Sequence, residues 1–243
     1  MAPPPFVIGH RGACGQAPEN TLGSIRKAAT LGLRWVEFDA MLSADDTIIL
    51  FHDDKLDRIT GTKGLTAETS FEALRLLDAG GRFSSRYAGE QIPSLMQAFA
   101  LLDNLGLGAV VEIKPSQGRG SETGARVAAA VRDHWPATLP QPIISSFNED
   151  GLAQARDLAP HIPRALNLYK NLDGWLDKLN EFDCLALHCK ENLVDQAAVE
   201  TVLRAGYAMR CFTVNDPVRA SELKSWGVAS VFTDFPDRLD GLL

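Results

Sequence analysis

Residues 35–52 read WVEFDAMLSADDTIILFH and contain two apolar runs separated by only four residues, SADD. Both runs have the length and the β-branched and aromatic content of strands. So short a connection cannot join parallel neighbours, because a parallel crossover needs roughly a dozen residues or more. The stretch therefore predicts an antiparallel hairpin that turns at Asp45 and Asp46.

The hairpin also predicts which side chains meet. With a two-residue loop at 45–46, residue 39 pairs with residue 52, so Asp39 is expected directly across from His52. Glu37 shares the face of Asp39, since successive side chains of a strand point to opposite faces. We expect these three groups to form one patch.

Outside the hairpin, short apolar runs alternate with helical patterns along the chain. The further strand candidates are 6–10, 109–114, 142–147, 164–168, 184–188, 208–214 and 228–233, and the helical patterns are 21–31, 94–104, 121–135, 149–159, 172–180, 194–205 and 216–226. Alternation of this kind predicts a parallel sheet covered by helices.

The number of strand candidates decides the architecture. There are nine, one more than a (β/α)8 barrel requires, and the return strand of the hairpin accounts for the extra one. A chain of 243 residues also has the usual length of one such barrel. The sequence therefore predicts an α/β protein, a (β/α)8 TIM barrel with a hairpin after its second strand.

One segment interrupts the alternation. Residues 53–93 are rich in Gly, Ser, Thr and charge and show only one short helical pattern, near 70–77. The segment is too long for a simple loop and too poor in apolar residues for a core of its own. We expect a single barrel domain over residues 1–243, with a small insertion at about 53–93 beside the substrate entrance.

Composition narrows the class of partner and the compartment. A net charge of −7 argues against a general nucleic-acid or anionic-membrane surface. The start MAPPPF lacks the basic and apolar parts of a secretory signal, and no apolar run approaches the ~20 residues that span a bilayer. The four cysteines show no Cys-x-x-Cys spacing and are expected as free thiols. We expect a cytoplasmic protein without nucleic-acid partners or stable membrane insertion, and a homodimer stays open.

Reactive side chains stand at several predicted strand ends, where barrel enzymes carry their catalytic groups. They are His10 and Arg11 after the first strand, Glu37 and Asp39 on the second, His52 on the return strand, and Glu112 and Lys114 on the next parallel strand. Of the other histidines, His134 and His161 are interpreted as structural. His188 ends a strand, where it would line the pocket.

The residue types favour phosphoester chemistry. Three carboxylates without cysteine or histidine ligands suit a hard cation, Mg²⁺ or Ca²⁺. Two imidazoles suit an acid and a base. Arg11 and Lys114 suit a phosphate, because guanidinium and ammonium both bind oxyanions. Each group alone is weak evidence, since a single strand-end histidine such as His10 is more often structural, and the combination carries the argument.

Six motifs carry a resemblance over essentially the whole chain. They are HRGACGQAPENT (10–21), EFDAMLSADDTIILFHDDKLDRITGTKG (37–64), EIKPSQGRG (112–120), SSF (145–147), FTVND (212–216) and VFTDFPD (231–237). In this order they resemble the signatures of glycerophosphodiester phosphodiesterases, and the chain looks like the short cytosolic bacterial type. The resemblance implies a barrel with a small insertion after the second strand. It also implies metal-dependent hydrolysis of glycerophosphodiesters, small molecules, to glycerol 3-phosphate and an alcohol.

The resemblance also implies roles for individual residues. His10 and His52 resemble the acid/base pair; Glu37, Asp39 and Glu112 resemble the metal ligands; Arg11 and Lys114 look like the phosphate and substrate contacts. Glu19 and Asn20 are expected to support the active-site loop. Phe212 stands where many members carry Trp or Tyr, so the apolar wall is kept and a polar donor is lost.

Two other functions stay open at this point. A phospholipase- or sphingomyelinase-like enzyme would act on a larger lipid phosphodiester, but the polar segment at 53–93 argues against a membrane-facing rim. A non-catalytic phosphodiester-binding module predicts the loss of at least one site residue, and all seven are present.

Overall fold

The computed structural model describes residues 3–243, and its nine strands form one sheet. The strands are β1 (Val7–Gly9), β2 (Trp35–Leu42), β3 (Ile48–Leu50), β4 (Gly108–Ile113), β5 (Ile143–Ser146), β6 (Arg164–Leu168), β7 (Ala186–Lys190), β8 (Ala208–Phe212) and β9 (Ser230–Thr233). Residues 1 and 2 begin the stretch in which the sequence predicts no secretory signal, and they lie outside the described residues.

The helices follow the barrel strands in the predicted order. They are α1 (Leu22–Thr30), α2 (Asp57–Thr60), α3 (Phe71–Leu74), α4 (Leu95–Leu105), α5 (Gly120–His134), α6 (Glu149–Leu158), α7 (Trp175–Glu181), α8 (Gln196–Arg204) and α9 (Pro217–Trp226). Hydroxyl residues fix two of the starts: Thr21 caps α1 and Ser94 caps α4, each in a capping box. Among residues 3–243, no helix combines the length and the apolar character that crossing a bilayer would take.

Eight of the strands are parallel and close on themselves. β1 pairs with β9 on one side and with β2 on the other, and β2 pairs directly with β4. β3 lies outside the closed ring, antiparallel to β2. The prediction of a (β/α)8 barrel with one extra hairpin strand is confirmed.

The predicted register of the hairpin is wrong by one residue. Ala40 pairs with Leu50, so residue 39 lies opposite residue 51 rather than His52. The backbone N–H of Phe51 accordingly donates to the carbonyl of Asp39 at 3.1 Å. His52 still approaches Asp39, because β3 ends at Leu50 and the chain leaves the strand before residue 52.

The turn explains the shift. The loop has three residues, 44–46, and Asp46 adopts a left-handed conformation with φ of 59°. The N–H of Ser43 donates to the carbonyl of Thr47 at 3.1 Å, and its hydroxyl donates to Asp45 at 2.6 Å. An aspartate tolerates the left-handed region, which makes the longer loop available.

β7 begins two residues later than predicted, at Ala186. Asp183 has a positive φ of 49°, and the N–H of Cys184 donates to the carbonyl of Leu179 in α7. The chain is therefore still closing the end of the helix at residue 184. Strand hydrogen bonding starts only after this turn.

Apolar side chains form three buried clusters. The largest lies between the strands and the helices, and a small one lies in the barrel interior around Trp35, Val110 and Phe232. The third joins Ile49 and Phe51 of the hairpin region to apolar residues of segment 53–93, including Leu74. The segment thus packs on the hairpin, and its interpretation as an insertion within a single domain over residues 1–243 stays a prediction.

Candidate active site

A cavity of about 590 Å³ opens at the C-terminal ends of the barrel strands. Its lining includes all seven side chains singled out in the sequence: His10, Arg11, Glu37, Asp39, His52, Glu112 and Lys114. His188 also lines the cavity, whereas His134 and His161 do not. The fold therefore brings together groups that lie up to 104 residues apart in the sequence.

Three buried carboxylates form the centre of the site. Oxygen atoms of Glu37, Asp39 and Glu112 all lie within 4.8 Å of one another. Two strands create this arrangement, because Asp39 of β2 pairs directly with Glu112 of β4, and Glu37 precedes Asp39 by two residues on the same face. Such proximity of like charges is costly unless a cation or protons offset it.

The pKa values of two of the three carboxylates reflect that cost. Burial, together with the charges of Asp39 and Glu112, raises the pKa of Glu37 well above its ordinary value. Burial and the charge of Asp39 raise the pKa of Glu112 to about 7. Although burial opposes ionisation of Asp39, the nearby Arg11 and other positive groups lower its pKa. Without a cation, Glu37 and Glu112 thus favour holding protons, whereas Asp39 favours its charged form.

Neighbouring groups orient the carboxylates without satisfying them fully. Asn20 donates from its amide to Asp39 at 2.8 Å and accepts the backbone N–H of Asp39 at 3.1 Å. Asn167 donates to Glu112 Oε2 at 3.0 Å. Glu112 Oε1 is buried without a hydrogen bond, and Lys114 Nζ lies 3.3 Å from it as an ion pair. An oriented carboxylate set with an unused buried oxygen fits a divalent cation.

His10 and His52 each contact a carboxylate through Nδ1. His10 Nδ1 lies 2.6 Å from Asp234 Oδ1, and His52 Nδ1 lies 2.6 Å from Asp53 Oδ1. Such contacts fix the ring orientation and the tautomer, so that Nε2 is the atom presented to the site. His10 Nε2 accordingly lies 4.0 Å from Glu37 Oε2.

The two supporting carboxylates differ in their other partners. Asp234 accepts hydrogen bonds from neutral groups, the Asn215 amide at 2.8 Å and the Cys14 thiol at 2.8 Å. Asp53 instead accepts from the Arg58 guanidinium at both of its oxygens. Burial opposes ionisation of Asp53, but the hydrogen bonds from Arg58 and His52 lower its pKa to about 2. His52 thus faces a carboxylate that Arg58 already neutralises, whereas the carboxylate that faces His10 has no such cation among its hydrogen-bond donors.

Two cations lie beside the carboxylate cluster. The Arg11 guanidinium donates to Glu19 at 2.8 Å, and its Nε lies 3.3 Å from Asp39. Lys114 Nζ lies 2.9 Å from His52 Nε2 and 3.9 Å from Asp39. Because ammonium only donates, His52 Nε2 accepts in this contact and the ring is neutral.

A turn at Gly12 brings the backbone of the first loop close to β2. Its N–H donates to the Glu37 carbonyl at 3.1 Å, and its φ is 86°. A Cβ there would lie 2.4 Å from the hydroxyl of Ser24. The neighbouring N–H of Arg11 is thereby free to donate to the Glu37 side chain, at 3.0 Å.

Three aromatic rings form one wall of the cavity. Phe147 contacts Tyr169 and Phe212 edge to face, with ring centroids 5.4 and 5.6 Å apart. Lys114 Nζ lies 5.6 Å from the centroid of Phe147. This wall, which hereafter means Phe147, Tyr169 and Phe212, is suited to the apolar faces of a small ligand.

Four residues of the site had no role in the sequence analysis: Asp53, Arg58, Asn167 and Asp234. Two of them had a signal. Asp53 follows His52 directly, and Asp234 follows β9, the neighbour of β1 and therefore of His10. The contact of Arg58 with Asp53 depends on the conformation of segment 53–93, which no periodicity in the sequence predicts.

Known proteins resemble this chain over nearly its whole length. Residues 10–238 match the model of the glycerophosphoryl diester phosphodiesterase family. A glycerophosphodiester phosphodiesterase of Caldanaerobacter subterraneus is 29% identical over 240 residues, which cover 98% of this chain and 97% of the relative. The solved structure of an Oleispira antarctica phosphodiesterase in complex with the product sn-glycerol-3-phosphate has a TM-score of 0.94 and 39% identity, covering 98% of this chain and 96% of that one. A glycerophosphodiester phosphodiesterase from Agrobacterium tumefaciens shares the fold, with a TM-score of 0.79 and 24% identity over 98% of this chain and 99% of that one.

Proposed function

The chain belongs to the glycerophosphoryl diester phosphodiesterase family, and we propose that it hydrolyses glycerophosphodiesters to glycerol 3-phosphate and an alcohol by metal-dependent, histidine acid/base catalysis. The observation that carries this proposal is the convergence of two carboxylate-supported imidazoles, three buried carboxylates and two cations on one cavity. The 39% identity to a phosphodiesterase whose structure holds sn-glycerol-3-phosphate supports the substrate class.

Glu37, Asp39 and Glu112 would hold a divalent cation, Mg²⁺ or Ca²⁺. Their close oxygens and the unused Glu112 Oε1 fit such an ion. When bound, the cation would neutralise phosphate charge and stabilise the charge that develops in the transition state. The carboxylates themselves stay oriented through Asn20 and Asn167.

We assign His52 as the general base, which takes the proton of the attacking nucleophile, and His10 as the general acid. Asp53 is neutralised by Arg58, so it stabilises a protonated His52 less, and His52 Nε2 carries a lone pair. Within residues 3–243, Asp234 has only neutral partners besides His10, so its negative charge is available to stabilise an imidazolium at His10. His10 would then give a proton to the departing alkoxide.

Arg11 and Lys114 would bind and orient the phosphate. Both lie at the edge of the carboxylate cluster, where a guanidinium and an ammonium can donate to the oxygens of a monoanionic phosphodiester. A shift of Lys114 toward the phosphate would release His52 Nε2, which it contacts at 2.9 Å. Substrate binding would thereby free the base.

Release of glycerol 3-phosphate tests the proposal directly. Purified protein incubated with glycerophosphocholine and Mg²⁺ or Ca²⁺ is expected to release glycerol 3-phosphate, and EDTA is expected to abolish the release. Glycerophosphoethanolamine and glycerophosphoglycerol serve to compare headgroups. Absence of hydrolysis with every headgroup and cation would contradict the proposal.

The pH profile tests the assignment of the base. Burial, with the charges of Arg11 and Lys114, lowers the pKa of His52 below its ordinary 6.5. The base is active when unprotonated, so the rate falls as pH falls through this pKa, and a lowered pKa moves that fall to lower pH. The acid limb of kcat/KM is therefore expected below pH 6.5. An unchanged limb in the residual activity of His52→Ala would assign it to another group.

A further inference from the structure

An arginine is buried in the barrel interior without an acidic partner. Arg210 on β8 is 6% exposed, and among residues 3–243 no carboxylate lies within ion-pair distance of it. Within this described part of the chain, its Nε has no hydrogen-bond partner. Burial lowers its pKa to about 10, which leaves the guanidinium charged at neutral pH. A buried charge of this kind is costly, and among the described residues its side chain makes one polar contact.

That contact is with His188. Arg210 Nη1 lies 3.3 Å from His188 Nε2, and the two residues pair across β7 and β8. Guanidinium can only donate, so Nε2 of His188 must be the accepting atom. The proton of the neutral ring is then on Nδ1. Burial and the charge of Arg210 also keep the pKa of His188 well below its ordinary value.

The remaining ring nitrogen of His188 is available to a ligand. His188 lines the catalytic cavity, and its Nδ1 has no partner among the described residues. Its cross-strand neighbour on β6 is Asn167, which also lines the cavity. Asn167 donates from its amide to Glu112, while its Oδ1 is buried without a hydrogen bond. The pair therefore offers one neutral donor and one neutral acceptor.

We propose that His188 and Asn167 bind a hydroxyl of the glycerol moiety and that Arg210 positions this site by holding His188 in its Nδ1–H tautomer. The inference rests on the proposed function and names how its substrate is selected. A hydroxyl both accepts and donates a hydrogen bond, which satisfies Nδ1–H and Oδ1 together. The phosphate of the diester substrate has no P–OH group, so its oxygens could accept from His188 but could not donate to Asn167.

Binding of the product and its deoxy analogues tests this proposal without depending on turnover. Calorimetry would compare glycerol 3-phosphate with propane-1,2-diol and propane-1,3-diol monophosphates, each of which lacks one hydroxyl. Wild type is expected to bind at least one analogue about tenfold more weakly, because the unmatched polar groups stay buried and unpaired. Equal affinity for all three ligands would overturn the proposal, whether or not the protein hydrolyses diesters.

Variants separate recognition from a merely structural role. His188→Leu is expected to lose most of the preference for glycerol 3-phosphate over its deoxy analogues, with unchanged affinity for inorganic phosphate. His188→Asn places an amide N–H near the position of Nδ1 and is expected to retain the preference. His161→Leu, which changes an exposed loop histidine, is the matched control. A loss of affinity for inorganic phosphate equal to that for glycerol 3-phosphate would overturn the proposal.

The role of Arg210 has its own readout. The ¹⁵N NMR signals of His188 are expected to report the Nδ1–H tautomer in wild type and a shift toward Nε2–H in Arg210→Met. The same variant is expected to lose most of the hydroxyl preference while keeping its affinity for inorganic phosphate. An unchanged tautomer together with an unchanged preference would contradict the positioning role, and thermal melts of each variant would show that it is folded.

Discussion

Glu37→Gln is expected to lower kcat/KM roughly 10²–10³-fold in saturating Mg²⁺ or Ca²⁺, the loss typical when one preorganised charge-stabilising group is removed. The same result is expected for Asp39→Asn and Glu112→Gln, because the three carboxylates lie within 4.8 Å of one another as one set. These substitutions preserve shape and remove charge. Hydrolysis of glycerophosphocholine at fixed cation concentration is the measurement.

Stability gives a second readout that does not depend on activity. Burial and two neighbouring carboxylates raise the pKa of Glu37, so the charged cluster is unfavourable without a cation. Glu37→Gln is therefore expected to be at least as stable as wild type in EDTA. A cation at a hundred times its Kd should stabilise wild type by about 2.7 kcal/mol and the variant much less. Glu122→Gln, a change on the surface of α5, is the control, and equal cation-induced shifts in Tm for Glu37→Gln and wild type would contradict the proposed metal site.

The sequence predicts the position of the site well because strand ends in a barrel converge. Alternating strands and helices place His10, Glu112 and Lys114 at the same end of the ring, whatever the details of their loops. The hairpin can be predicted from the shortness of the connection between its two strands. These features depend on periodicity and chain length, which are properties of the sequence alone.

The finer geometry depends on local choices that periodicity does not encode. Asp46 takes a left-handed conformation, which adds one residue to the turn and shifts the predicted pairing of Asp39. The Arg58–Asp53 contact depends on how segment 53–93 folds onto the hairpin. The His10–Asp234 contact spans 224 residues and follows only once β9 is known to close against β1.

The buried polar interior is a further part that the sequence left open. Arg210 and Asn167 lie in runs that look like ordinary strands, and nothing in their spacing marks them as neighbours of His188. Only the register between β6, β7 and β8 aligns Asn167, His188 and Arg210 across three neighbouring strands. These three side chains therefore become neighbours only through the pairing of their strands.

His10→Ala and His52→Ala are each expected to reduce kcat on glycerophosphocholine by about 10²–10⁴-fold, the usual contribution of one general acid or base. Neither imidazole is part of a buried apolar cluster, so thermal melts should show folded proteins. His161→Ala, an exposed histidine outside the cavity, should behave as wild type. Near-wild-type rates for both site variants would contradict histidine catalysis.

A change of leaving group distinguishes the two histidines. In an aryl ester of glycerol phosphate made with an acidic phenol, the leaving group is a stable phenolate. It needs no proton to depart, so hydrolysis of this ester does not depend on the general acid. His10→Ala should therefore recover most of its lost activity on the aryl ester, whereas His52→Ala should not, because the nucleophile still needs a base. The reverse pattern would exchange the two roles. It would also mean that neutralisation of Asp53 by Arg58, against the unneutralised charge of Asp234, does not decide which ring carries the proton.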